Sequence, residues 1–166
     1  MTLIKQIKED WVSHGKDWTK HRFRALAFHC FGNWRFGTKS KLLRMPFSIA
    51  NRFLYLRASN ICGIELPYTT KIGQGVIIEH QHGIVIHGNA VIGDNCILRQ
   101  SVTIGNRHIN KPTEAPIIGN NVNIGSGAKL LGKITIGDNT NIGANAVVIH
   151  DIEKNGLYVG FPKKKQ

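Results

Sequence analysis

The sequence predicts a mostly β fold, a parallel β-helix built from six-residue repeats and preceded by a short α-helical region. The main observation is an aliphatic residue at every sixth position in two runs: Ile86, Ile92, Leu98 and Ile104, then Ile118, Ile124, Leu130, Ile136, Ile142 and Val148. A period of six fits neither a helix nor a half-buried strand, whose periods are about 3.6 and 2. It is typical of a solenoid in which three hexapeptides make one triangular coil.

Residues 1–60 differ in composition from the rest of the chain. They are basic and aromatic, with a single proline and few glycines. Their apolar residues are compatible with helical faces, so we predict two or three helices that end near residue 60. From Gly63 the composition changes to glycine, isoleucine, valine and asparagine. We therefore expect a solenoid domain over residues 61–162, followed by a basic tail at 163–166.

Isoleucine–glycine pairs recur along the solenoid, and their spacing locates its irregularities. Gly119 and Gly137 are separated by three hexapeptides, which is one full coil. The interval from Gly93 to Gly119 is eight residues longer, which predicts a loop at 106–116. The interval from Gly73 to Gly93 is two residues longer than a coil, with the excess near 80–83. A solenoid usually interrupts its repeat for a binding surface, and both interruptions contain histidines.

The formal charge of +12 is concentrated in the first third of the chain, where residues 1–60 hold twelve Lys and Arg against three acids. A solvated basic face is the simplest interpretation. Attraction to an anionic ligand such as coenzyme A, or peripheral docking at an anionic membrane surface, are the functional alternatives. No motif that recognises nucleic acid accompanies the charge, so we expect no nucleic-acid partner.

The sequence contains no apolar stretch long enough for a membrane span, and the segment from Met1 to Cys30 has no signal-peptide core. The three cysteines, Cys30, Cys62 and Cys96, are unpatterned, which indicates reduced thiols that serve as small core residues. We therefore expect a cytoplasmic protein, with a peripheral position at the inner membrane face as a variant of that expectation.

His80 is the candidate general base. Solenoids of this class are strongly associated with acyl transfer from a thioester, and transfer to a hydroxyl requires a base and donors for the developing oxyanion. Glu65 precedes His80 by nearly one coil, so stacked coils could bring them together. A carboxylate against the imidazole would fix its tautomer and stabilise the imidazolium. The alternative is that His80 is a polar surface residue.

Several segments between Gly63 and Pro162 resemble, in order, the serine acetyltransferase branch of the hexapeptide acyltransferases. They are residues 71–80 (KIGQGVIIEH), 83–86 (GIVI), 90–94 (AVIGD), 100–105 (QSVTIG), 125–132 (GSGAKLLG) and 142–148 (IGANAVV). The resemblance spans more than half of the chain. It implies a left-handed coil, a homotrimer, and acetyl-CoA bound in the groove between neighbouring subunits. It also implies direct transfer without a covalent acetyl-enzyme.

The resemblance assigns roles to individual residues. It makes His80 the general base and places Glu65 where the family has the aspartate that pairs with that base. The candidates for acceptor binding are Glu79, His82, Arg107 and His108. The candidates for binding the donor, chiefly through backbone along its pantetheine arm, are Gly125, Ser126, Gly143, Ala144 and Lys129. Asp10 or Asp17 would supply an N-terminal acid for the acceptor.

The departures from the serine enzymes concern the acceptor. The loop lacks their Gly-Gly-Thr-Gly segment, and Arg107 and His108 lie at its start, whereas the serine enzymes have an Arg-His pair at its end. The segment 102–107 is similar to colanic-acid and exopolysaccharide acetyltransferases. We therefore expect a sugar acceptor in surface-polysaccharide biosynthesis, with L-serine as the alternative.

Two further alternatives remain open. His82 and His87 have the spacing found in γ-class carbonic anhydrases, which share this solenoid and bind zinc between subunits. Those enzymes need another histidine from the preceding coil, and residues 60–68 contain none, so we expect no metal. A non-catalytic trimeric scaffold is the other alternative.

Overall fold

Three helices precede the solenoid in the computed structural model, which describes residues 3–17, 19, 21–36 and 41–160. They are α1 (Leu3–Ser13), α2 (His21–Phe36) and α3 (Lys41–Cys62). The predicted tail at 163–166 lies outside the described residues, as do 161–162. Among the described helices, none is both long enough and apolar enough to span a bilayer.

The described solenoid consists of short strands of two or three residues each. They are β1 (Ile64–Glu65), β2 (Lys71–Ile72), β3 (Ile77–Ile78), β4 (Ile84–Ile86), β5 (Val91–Ile92), β6 (Ile97–Leu98), β7 (Thr103–Gly105), β8 (Ile117–Ile118), β9 (Asn123–Ile124), β10 (Lys129–Leu131), β11 (Thr135–Ile136), β12 (Asn141–Ile142), β13 (Val147–Val148) and β14 (Leu157–Tyr158).

The strands form three parallel sheets, and the chain visits each sheet once per coil. Face 1 has the order β1-β4-β7-β10-β13, face 2 the order β2-β5-β8-β11, and face 3 the order β3-β6-β9-β12-β14. Strands that pair therefore lie one coil apart along the chain. The predicted fold, a parallel β-helix of hexapeptide repeats preceded by helices, is confirmed, and the arrangement is consistent with the left-handed coil that the resemblance implies.

The strand register on face 2 measures the length of each coil. Ile118 pairs with Ile136, the spacing of a regular coil. Ile92 pairs with Ile118, so that coil contains the eight additional residues of the loop. Ile72 pairs with Ile92, which places two additional residues in the first coil. On face 3, Ile142 pairs with Tyr158, and this last coil is two residues shorter than a regular one.

Stacked aliphatic side chains fill the interior. Each face contributes one inward column, and these columns are Ile86, Ile104, Leu130 and Val148 on face 1, Ile72, Ile92, Ile118 and Ile136 on face 2, and Ile78, Leu98, Ile124 and Ile142 on face 3. Nearly all are buried. Burying one such side chain fully contributes about 1.5–3 kcal/mol, so the columns hold the coils in register.

The helices close the N-terminal end of this core. Ala25 and Leu26 of α2 belong to the same buried cluster as Ile64. Two buried histidines bind the first coil through its backbone. His14 Nε2 accepts from the Ile78 amide at 3.3 Å, and His29 Nε2 lies 2.9 Å from the Thr70 carbonyl oxygen, to which it donates. Neither histidine was singled out from the sequence.

Two adjacent isoleucines in β8 test the inward stacking. Ile118 is 1% exposed and Ile117 is 49% exposed. Ile118→Ala should lower the free energy of unfolding by about 2–5 kcal/mol, because it leaves a cavity in the face 2 column. Ile117→Ala, the matched control, should change it by less than about 0.5 kcal/mol. Urea denaturation measures both, and equal losses would contradict the inward orientation of Ile118.

Candidate active site

The corner between face 3 and face 1 collects most of the predicted site residues. In each coil it begins with the residue that follows the inward aliphatic residue of face 3. Strand register aligns Ile78, Leu98, Ile124 and Ile142. Continuing that register by one residue aligns Glu79, Arg99, Gly125 and Gly143, and by two residues His80, Gln100, Ser126 and Ala144. We call this the 3–1 corner.

His80 is exposed at the 3–1 corner of the first coil. The preceding residue is anchored, since the Glu79 amide donates to the Leu98 carbonyl at 2.9 Å. Ile86 pairs with Ile104 at the regular spacing, so the two extra residues of the first coil fall before β4, between residues 79 and 83. The insertion lengthens the chain at this corner, and the imidazole is exposed beside it.

His82 lies in the same insertion, with a backbone φ of 78°. Its amide donates to the Cys62 carbonyl at 3.1 Å, and its carbonyl accepts from the Ser101 amide at 3.0 Å. A positive φ is unusual for a residue with a side chain, and these two hydrogen bonds hold the backbone there. The side-chain amide of Gln81 is 3.2 Å from His82 Nε2.

Glu65 lies on face 1 of the coil below, where it pairs in register with Val85. It is exposed, and the described residues contain no hydrogen bond or ion pair between it and His80. Burial, and secondarily the negative charge of Glu65, raise the pKa of Tyr55. The coupling of Glu65 to the imidazole therefore stays a prediction.

Glu79 forms an ion pair with Arg99, a residue that was not among the predicted site residues. Arg99 Nε lies 2.5 Å from Glu79 Oε2, and Arg99 Nη1 donates to Asn123 Oδ1 at 2.5 Å. Arg99 could have been found from the repeat, because it follows Leu98 as Glu79 follows Ile78. The pairing of β3 with β6 places the two side by side.

Close packing between coils explains why the 3–1 corner contains glycine at Gly125 and Gly143. A Cβ on Gly125 would lie 2.5 Å from the Ala144 amide nitrogen, so the close approach of the coils requires glycine there. The Ser126 carbonyl accepts from the Asn145 amide at 2.8 Å. A Cβ on Gly143 would likewise lie 2.9 Å from Val159 Cγ1. Above Arg99 the corner is therefore formed by closely packed backbone, without side chains at Gly125 and Gly143.

Lys129 lies on face 1, in register with Thr103. Its Nζ donates to the Ser101 carbonyl at 2.7 Å and to Thr103 Oγ1 at 3.0 Å. Two of the three donors of the ammonium are therefore used within the chain. The side chain lies beside the 3–1 corner rather than in it.

The structure does not bring Arg107 and His108 to His80 within one chain. They begin the segment 106–116, which leaves face 1 after Gly105 and re-enters at Ile117. They therefore lie at the opposite end of face 1 from the 3–1 corner. Arg107 packs against Gly132, and the His108 carbonyl accepts from Asn106 Nδ2 at 3.0 Å.

His87 forms a hydrogen bond that holds this loop against the coil. Its Nδ1 accepts from the Asn89 amide at 3.1 Å, which leaves Nε2 to donate to the Pro112 carbonyl at 2.9 Å. Asn89 Nδ2 donates to the Thr113 carbonyl at 3.1 Å. Both ring nitrogens of His87 are thus engaged, which argues against its use as a zinc ligand. No group of three His, Cys, Asp or Glu among the described residues is arranged to hold a metal.

Asp10 and Asp17 occupy different environments. Asp10 is buried, and the Cys30 thiol donates to its Oδ2 at 3.7 Å. Burial raises the pKa of Asp10 to about 6, and burial with the nearby carboxylate raises the pKa of the Cys30 thiol to about 12. Asp17 instead accepts from the Thr19 amide at 2.9 Å. All three cysteines are buried and free, as predicted.

The family model described as bacterial transferase hexapeptide (six repeats) matches residues 115–150. Serine acetyltransferase from Synechococcus elongatus is 35% identical over 140 residues, which are 84% of this chain and 54% of that protein. The chain thus spans about half the length of this curated relative.

Solved serine acetyltransferases share the fold. Isoform 3 from Entamoeba histolytica, in complex with cysteine, superposes with a TM-score of 0.79 at 27% identity, over 99% of this chain and 60% of that one. The Neisseria gonorrhoeae enzyme, in complex with serine, gives 0.77 at 27% identity, over 98% and 68%. The similarity thus points to the serine acetyltransferase type of hexapeptide-repeat proteins and gives no support to the expected likeness to colanic-acid acetyltransferases.

Asp10 should make stability depend on pH. Its pKa in the folded state lies above the unfolded value of about 3.9. Ionisation therefore costs stability as pH rises from about 4 through about 6, and the cost is constant above that. Relative to the wild type, Asp10→Asn should gain roughly 1–3 kcal/mol between pH 4 and pH 7. Urea denaturation across this range measures the gain, and a pH-independent difference would contradict it.

Proposed function

We propose that this chain is an O-acetyltransferase that transfers the acetyl group of acetyl-CoA directly to the hydroxyl of L-serine. The observation that carries the proposal is the position of His80, an exposed imidazole that shares the 3–1 corner with Gly125 and Gly143. The relatives support L-serine, the alternative acceptor, over the sugar that the loop sequence favoured.

His80 would act as a general base. It takes the proton from the acceptor hydroxyl, and the resulting oxygen nucleophile attacks the thioester carbonyl carbon. A C–O bond forms, the C–S bond breaks, and the imidazolium returns its proton to the departing thiolate. General-base catalysis of this kind contributes about 100- to 10,000-fold to the rate. Glu65 would orient the imidazole and stabilise its charged form once the substrates are bound.

The other residues of the corner would bind the substrates. Backbone groups at Gly125, Ser126, Gly143 and Ala144 would line the pantetheine arm of the donor, and Lys129 would lie beside it. Glu79, adjacent to His80, would contact the acceptor ammonium, with His82 near the same pocket. Holding donor and acceptor together supplies the proximity on which a direct transfer depends.

We also propose a homotrimer, with the donor between neighbouring subunits, in the cytoplasm. Exposed Val85 on face 1 and exposed Ile109 in the loop are suited to burial between subunits. Sedimentation equilibrium should give three chains per particle, and a monomer would exclude the trimer.

Peripheral contact with an anionic membrane is compatible with α3, where Ile49 and Phe53 are exposed beside Arg52. Co-sedimentation with anionic vesicles tests the membrane contact.

The proposal is tested by acetyl-CoA consumption with L-serine beside nucleotide sugars and oligosaccharides. The wild type should turn over L-serine, and His80→Ala should lose at least about 100-fold in kcat. His150 is an exposed histidine that follows β13. The variant His150→Ala is the matched control and should retain full activity. Near-normal turnover by His80→Ala would refute the base assignment, and turnover of a sugar alone would refute the acceptor.

A further inference from the structure

Arg99 is a partly exposed cation next to Gln100, the residue that aligns with the proposed base His80 one coil further on. Its side chain is 30% exposed, and that of its partner Glu79 is 42% exposed. Pairs this open to water contribute only about 0–1 kcal/mol to stability. Stability alone therefore gives little reason for a charged pair at a corner that is occupied by glycine in the later coils.

The pair also lies at the end of the column that Gly125 and Gly143 form at the 3–1 corner. Glu79 and Arg99 occupy the register positions that Gly125 and Gly143 occupy in the later coils. A donor chain lying along the glycines would therefore end at the pair. An acceptor there would be within the reach of His80, the residue that follows Glu79.

The guanidinium of Arg99 retains donors for a ligand. Nε lies in the ion pair with Glu79 Oε2, and Nη1 donates to Asn123 Oδ1. Among the described residues, Nη2 makes no hydrogen bond to another side chain or to the backbone. A guanidinium presents five N–H donors in a planar fork that fits a carboxylate, and such charge-assisted bonds are about twice as strong as neutral ones. Arg99 can thus hold Glu79 and an external carboxylate at once.

We infer that Arg99 binds the carboxylate of a zwitterionic amino-acid acceptor whose ammonium group lies against Glu79. The inference rests on the proposed function, in which the acceptor is L-serine. In an α-amino acid the two charges are separated by one carbon, so an adjacent anion and cation match both. A neutral sugar hydroxyl could hydrogen-bond to either group, but it offers no pair of opposite charges to match them. Arg107 and His108, the other acceptor-binding candidates, lie at the far end of face 1 in the same chain.

The experiment compares L-serine with L-serinamide, which keeps the hydroxyl and the ammonium but lacks the carboxylate. The ratio of their kcat/KM values measures recognition of the carboxylate alone. A hydrogen bond to a charged group contributes about 1.5–3 kcal/mol, so the wild type should prefer L-serine by about 10- to 150-fold. In Arg99→Gln the ratio should fall to near unity, and Arg99→Lys, which keeps the charge but not the fork, should be intermediate.

Arg107→Gln is the decisive comparison, because it removes the rival cation and leaves Arg99 in place. It should retain the wild-type ratio. Loss of the ratio in Arg107→Gln, or its persistence in Arg99→Gln, would overturn the inference. A merely structural role for Arg99 would lower both kcat/KM values together and leave the ratio unchanged. Thermal unfolding of each variant establishes that it is folded.

Calorimetric binding of L-serine in the presence of coenzyme A separates this inference from the proposed function. Binding that weakens at least about 10-fold in Arg99→Gln, without acetylation by the wild type, would support the inference and refute the proposed function. Turnover of L-serine with an Arg99-independent ratio would refute only the inference. A wild type that neither binds nor acetylates L-serine would refute both.

Discussion

The solenoid depends on direct stacking of each coil on the one below. Parallel strands about 4.8 Å apart share their backbone hydrogen bonds, and each inward aliphatic side chain rests on its counterpart. The stacking leaves little room at the corners. A Cβ on Gly125 would meet the amide of Ala144, and one on Gly93 would lie 2.5 Å from the carbonyl oxygen of Gly119. Polar and ionisable side chains that could bind or react are therefore confined to the outer faces and to irregular coils.

The first coil is one of those irregular places. Its two extra residues follow Ile78 and accommodate Glu79 and His80 at the corner where later coils have glycine and small residues. Arg99 fills the same position one coil further on, and its charge compensates that of Glu79. Above it the same position is glycine. A base and an ion pair thus lie at the irregular end of the corner, whereas the later coils are closely packed there.

The helical region closes the solenoid where stacking would otherwise end. The lowest coil has no coil beneath it, and α2 covers it with Ala25 and Leu26. His14 and His29 complete the contact through backbone groups of the first coil. Burial lowers the pKa of His29, which favours its neutral form. The same region carries most of the excess positive charge, which would favour the approach of an anionic donor.

Much of the fold could be read from the sequence, because the interior imposes a period. Six-residue spacing of aliphatic residues has one simple structural solution, and the regular and lengthened glycine intervals agree with the strand register. The position of His80 at an interruption followed from the same counting. The shortened last coil did not, since its final inward residue is Tyr158, which breaks the aliphatic pattern.

The sequence by itself determined the coil, its two interruptions and the corner at which His80 lies, because these follow from distances along the chain. Only the tertiary structure decided which side chains meet across coils: Arg99 with Glu79, His87 with the loop carbonyl of Pro112, and His14 with the amide of Ile78. It also separated Arg107 and His108 from that corner by the width of face 1. The repeat places Arg99 beside Glu79, but each of these contacts also depends on the direction of the side chains, which no local pattern encodes.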